Sequence, residues 1–285
     1  MPRLGIEPPF DLHAGPILGA GDAIWMGAPQ HVTLQENAIL FGPRLDKFLG
    51  GVPVAAGSFA GEVLQSSAQL ALLDGWPVSV RGTDTTGESW ISGQTGRLVF
   101  STGTTDNDDV QLIMGYDSAQ NTGTALVSPK PFKPTKNTIL RFAVKFKIDD
   151  VSLADVSIGL FGDGTGSAHL TDVFAEAGYE DAVYFRQLAG TDTNLQGCTK
   201  VNDAAVVVND LGSPLADDTY VEVGFVMEGF DLTFYMDGVG VPIGDTLVGS
   251  VDGAFIAPCL AVQVASAAKR TMTVSKLWAG QFGGF

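Results

Sequence analysis

Glu176 and Glu180, in "FAEAGYED", come nearest to the pair of carboxyl groups that glycoside hydrolysis requires, one acting as acid and the other as nucleophile or base. Gly178 stands between them in a stretch without strand alternation, so the sequence reads as a loop carrying solvated acids. A second set of oxygens, Asp106-Asn107-Asp108-Asp109, could gather around calcium with Asp163 from "FGDGTG". It lacks the glycine and distal glutamate of an EF-hand loop, and otherwise forms a polar turn ahead of a strand starting at Val110. His13, His31 and His169 are scattered, with no partner at metal-ligand spacing. No Gly-x-Ser-x-Gly elbow, phosphate loop or dinucleotide fingerprint is present. The expectation is a chain with no catalytic residue, no metal and no cofactor, and hence not an enzyme.

Cys198 and Cys259 sit in no CxxC or Cys/His cluster and read as buried free thiols. A disulfide stays open if the protein ends up outside a cell. Sixteen basic residues against 32 acidic ones give a net charge of −16, which repels nucleic acid and anionic membrane surfaces alike. No apolar run reaches membrane-spanning length, and "MPRLGIEPPFDLH" lacks the basic start and apolar block of a secretory signal. The expected setting is therefore synthesis in the cytoplasm, without a membrane or nucleic-acid partner.

The elements that must position these residues are strands. Residues 97–101, 110–114, 123–128, 139–148, 155–161, 182–187, 204–208, 220–227, 231–236, 260–264 and 271–279 form short alternating runs cut by Gly, Asp, Asn, Thr and Ser. In "ILRFAVKFKI", Leu140, Phe142, Val144, Phe146 and Ile148 point one way and Arg141, Lys145 and Lys147 the other. With Glu228-Gly229 as a two-residue turn, Val221, Val223, Phe225 and Met227 share a core face with Phe230, Leu232, Phe234 and Met236. The reverse face carries Tyr220, Glu222, Asp231, Thr233, Tyr235 and Asp237. Strands without helix signal predict an all-β jelly-roll sandwich over residues 72–285.

Residues 1–71 differ. Pro2, Pro8, Pro9, Pro16, Pro29 and Pro43 exclude long helix, although a short helix could start near Ser58. So apolar a segment must lie on its own body or on another chain. It is predicted to be an extended docking arm, with Phe10, Ile17, Leu18, Ile24, Trp25, Leu40 and Phe41 as its interface residues.

The stretches "TTDNDDVQLIMG" (104–115), "LRFAVKFKIDDVSLADVSIGLFGDGTG" (140–166), "EDAVYFRQLAGTD" (180–192) and "LADDTYVEVGFVMEGFDLTFYMDGVGV" (215–241) resemble, in matching order, the concanavalin A-like, laminin-G-like jelly roll. More narrowly they resemble bacteriophage virion proteins built on that fold. The resemblance implies a capsid decoration or cement protein on the surface of a phage head. Its partners would be the major capsid protein and copies of itself, as a homo-oligomer, expected to be a trimer. Some relatives bind calcium near one rim of the sandwich. The Glu-x-Asp-x-x-Glu pattern of the fold's glycosidases is absent, and so is the legume-lectin metal and sugar pattern. The alternative is a carbohydrate-binding, lectin-like module for host glycans, using Tyr235, Tyr220, Trp90 and Trp278 as its aromatic platform.

Overall fold

The computed structural model describes parts of residues 34–53 and 69–82, then 88–114, 131–162, 173–242 and 255–283. Its strands, in chain order, are β1 (Leu34–Gln35), β2 (Ala38–Phe41), β3 (Phe48–Pro53), β4 (Gln69–Leu73), β5 (Trp76–Arg81), β6 (Trp90–Gln94), β7 (Arg97–Ser101), β8 (Asp109–Met114) and β9 (Ile139–Ile148). They continue with β10 (Ala154–Phe161), β11 (Ala182–Gln187), β12 (Gln196–Lys200), β13 (Val207–Asp210), β14 (Val221–Glu228), β15 (Asp231–Met236), β16 (Val239–Pro242), β17 (Ala257–Val264) and β18 (Thr271–Phe282). The helical content among the described residues is the 3-10 turn Glu176–Gly178 and the 3-10 residue Leu45.

Two antiparallel sheets result. The first runs β1-β2-β18-β9-β14-β15-β16, with β7 and then β6 attached to β18 on the same side as β2. The second runs β13-β12-β11-β10-β17-β8-β5-β4-β3. Alternation sends one set of side chains from each sheet into a shared interior. Phe142, Phe225 and Phe234 come from the first sheet and Phe185 from the second. Phe142 stacks on Phe225 at 5.4 Å within the first sheet, and Phe185 meets Phe234 edge-on at 5.2 Å, bridging the layers. Each ring is essentially fully buried, a contribution of about 1.5–3 kcal/mol apiece.

The predicted faces of β9, β14 and β15 hold, but the turn joining the last two differs. The closing pair is Glu228 and Asp231, with Gly229-Phe230 as the two-residue loop. Gly229 has a φ of +62°, the positive value that the first position of a type II′ turn needs. The partners shift by two residues, so every side chain keeps its face; Phe230 alone leaves the predicted core row for the turn. Asp237-Gly238 forms the next turn with both φ values positive, 46° and 82°, the type I′ pattern.

Other differences are informative. β1, β2 and β3 arise within the segment expected to be an arm. Their ladders go to strands of the same chain: β2 pairs β18, with Leu40 opposite Gly280 and Phe41 opposite Ala279, and β3 pairs β4. The sheets therefore take in residues from Leu34 onward, well before residue 72. Residues 69–73 are strand β4 rather than the end of a helix. The strand expected at 204–208 begins at Val207, and the one expected at 123–128 lies outside the described residues. No helix among the described residues is long and apolar enough to cross a membrane.

Candidate functional site

The sandwich presents two outer faces, and the residues that could do chemistry divide between them. On the first sheet, Leu98, Phe100, Ile91, Met272 and Val274 point into the core. Their alternates Arg97, Val99, Ser101, Trp90, Ser92, Thr271 and Thr273 therefore face outward. Register aligns them in rows across four strands. Ser92, Val99, Thr273 and Lys147 lie side by side, with Tyr220 next to Lys147, and Trp90, Ser101 and Thr271 form the adjacent row. Trp90 and Tyr220 thus stand at opposite ends of a floor of short side chains, four strand spacings or about 19 Å apart.

The aromatic ends carry cations. The Arg97 guanidinium lies 5.9 Å from the Tyr220 ring centre and the Lys147 ammonium 5.8 Å from it, while the Lys269 ammonium lies 5.9 Å from the Trp90 ring. Lys147 also pairs with Asp218 at 2.8 Å. In the floor, Ser101 Oγ is buried without a hydrogen-bond partner among the described residues, and so is the Tyr220 hydroxyl. The other two expected platform aromatics stand apart from this strip. Trp278 is 2% exposed and packs toward Phe282. Tyr235 leans over Gly240, where an added Cβ would lie 2.9 Å from its ring. Sequence reading listed the aromatic types but missed Arg97 and Lys269. Their only signal was a basic residue close in sequence to an aromatic strand.

The second sheet's outer face is covered by the chain itself. Phe161, Tyr184, Cys198, Cys259, Ile113 and Ala261 form a separate apolar cluster there, closed by Val173 and Tyr179 from the preceding loop. The hydroxyls of Tyr179 and Tyr184 meet at 2.7 Å in the buried cluster. Burial pushes the Tyr179 pKa up to about 12 and raises that of Tyr184 further. Lys200, 2% exposed, fastens the loop by donating to the carbonyls of Glu176 and Tyr179 and to the Asp203 carboxylate. Glu176 therefore belongs to a strapped 3-10 turn, and its backbone rather than its carboxylate carries the contact.

The remaining predicted site residues resolve as follows. The Asp108 carboxylate accepts the Thr105 N–H at 2.9 Å and Asp109 accepts from Gln111 Nε2, so the acidic run closes a turn ahead of β8. Asp163 and all three histidines lie outside the described residues. No group of three or more metal-ligating side chains occurs among the described residues. Cys198 and Cys259 are buried and are not joined in a disulfide. They share one row, Cys259–Gly159–Tyr184–Cys198, which sets them three strand spacings or about 14 Å apart, beyond disulfide reach. Of the expected interface residues, Phe10, Ile17, Leu18, Ile24 and Trp25 lie outside the described residues.

No family model matches the chain and no curated protein does. Among solved structures it is similar to the potassium-bound carbohydrate recognition domain of Emp46p, with 12% identity, 73% of this chain and 89% of that one covered, and a TM-score of 0.46. It is also similar to alginate lyase AlyC3 in complex with dimannuronate, with 11% identity, coverages of 79% and 89%, and a TM-score of 0.48. A third is an endo-β-1,3-glucanase from Pyrococcus furiosus, with 12% identity, coverages of 79% and 100%, and a TM-score of 0.47. The chain is an all-β protein of two antiparallel sheets packed face to face. The expectation that it is not an enzyme is not retained: the solved structures to which the chain is similar include an alginate lyase and an endo-β-1,3-glucanase. The virion role implied by the sequence resemblance has no counterpart in these structures.

Proposed function

We propose that the protein binds carbohydrate along the outer face of its first sheet, between Trp90 and Tyr220. One observation carries the reading: two partly exposed aromatic rings bracket a row of short hydroxyl side chains on a single sheet face, half-buried Thr271 and the buried Ser92, Ser101 and Thr273. Aromatic rings offer the apolar faces of sugars a flat surface, and hydroxyls and cations supply directional contacts. The unpartnered hydroxyls of Ser101 and Tyr220 are groups whose unmet hydrogen bonds a ligand or water would satisfy. The opposite face supports this reading less well, since its own loop covers much of it.

The test is a glycan array probed with the full chain, followed by titration of any ligand found. Trp90→Ala and Tyr220→Ala should each weaken binding by about tenfold or more, near 1.4 kcal/mol. Tyr235→Ala, outside the strip, should retain it. An empty array, or affinity indifferent to both aromatic substitutions while circular dichroism confirms the fold, would overturn the proposal.

A further inference from the structure

We infer that the ligand of this strip is an acidic polysaccharide, one bearing carboxylate or sulfate groups; the inference rests on the carbohydrate-binding reading above. The starting point is the placement of positive charge in a chain whose net charge is −16. The two aromatic ends of the strip carry three cations, Lys269 at Trp90 and Arg97 with Lys147 at Tyr220. Lys147 is neutralised by Asp218 at 2.8 Å. Arg97 and Lys269 are exposed and have no carboxylate partner among the described residues. Acidic residues outnumber basic ones two to one in this chain, yet an exposed cation stands at each end of the same floor.

The chemistry of these two positions is complementary to a repeating anionic chain. A guanidinium offers a planar fork to a carboxylate or sulfate, and an ammonium offers a point charge. Each also lies at an aromatic ring, so a sugar on that ring would bring its acidic substituent within reach of the cation. Carboxylate and sulfate share this chemistry, and the experiment separates them. The overall charge of −16 disfavours nonspecific adsorption of polyanions, so a preference for an acidic chain would report the local cations.

The measurement compares polygalacturonate with its carboxyl-reduced, neutral counterpart, and dextran sulfate with dextran, on the full chain by calorimetric titration at low and high salt. Exposed charge contacts are worth at most about fivefold each, so the two free cations should give on the order of a tenfold preference for an acidic polymer over its neutral partner. That preference should shrink in 1 M salt, where the screening length falls to about 3 Å. The double variant Arg97→Gln with Lys269→Gln should bring the ratio of affinities close to one. A polygalacturonate-only preference assigns a carboxylate ligand and a dextran sulfate-only preference a sulfated one. Equal binding of acidic and neutral polymers, or a preference that survives the double substitution, would overturn the inference while leaving carbohydrate binding intact. Absence of binding to all four polymers together with an empty glycan array would instead remove the reading on which it rests.

Discussion

Lys200 shows how a single charge can be spent on architecture. Its ammonium sits almost out of contact with water, and three acceptors, two of them loop carbonyls, satisfy its three protons. Lys200→Met would leave those carbonyls without a donor and should cost about 2–3 kcal/mol in urea unfolding; an unchanged midpoint would show that the loop does not depend on the strap. The thiols make a complementary case, with burial pushing the Cys198 pKa up to about 12. Native protein at pH 8 should therefore resist iodoacetamide, and both cysteines should label once it is unfolded, as read by intact mass.

Asp155 gives a pH prediction. Burial raises its pKa and the nearby Asp192 and Asp106 add to the rise, while the Ala189 N–H and Arg186 oppose it. A carboxyl whose pKa is higher in the folded state favours folding where it is protonated and loses that contribution as pH climbs through the folded value. Asp155→Asn keeps an acceptor for Ala189 and should raise the melting temperature near neutrality by about 2 °C. The gain should vanish below pH 4, and a gain that grew toward acid would contradict this assignment.

At the level of elements, legibility followed how much of a strand's partner surface was written in its own residues. β9, β14 and β15 alternate cleanly, so their faces could be read directly. β12, "QGCTK", could not, because Gly197 and Thr199 hold its inward positions. The space over Gly197 is filled by the Phe234 ring, 2.6 Å from where a Cβ would stand, so its apolar surface is lent by another strand. β6 has a similar defect, offering Ile91 and Gly93 inward. Gly159 is a closer test, since a Cβ there would fall 2.4 Å from the Val183 carbonyl and 2.5 Å from Tyr184. Gly159→Ala should destabilise the fold by about 3 kcal/mol, measured by chemical denaturation; a neutral result would mean that β10 and β11 can part locally. The hairpin turn escaped because a two-residue shift preserves every face, so hydrophobic pattern alone cannot choose between the registers.

For the whole molecule, fold class and the acidic balance could be read from the sequence, whereas the candidate site could not be assembled from it. Trp90 and Tyr220 are remote in sequence and come to share one face only through the ladders of β7, β18 and β9. The sandwich's two outer surfaces are unequal, one closed by its own loop and the other carrying half-buried aromatic rings and exposed cations beside buried hydroxyls. β18 holds the second of these surfaces together. It pairs β9 along most of its length, and its other edge takes β7 over Thr271–Val274 and β2 over Ala279–Phe282. The ladder breaks between Val274 and Lys276, and this bulge falls between the two neighbours. Three segments that are distant along the polypeptide thus wait on one strand before they can be sealed together, so refolding from urea should be slow, on the scale of seconds. Until that strand docks, β9 has an unguarded edge, and loss of soluble protein during dilution should rise steeply with chain concentration.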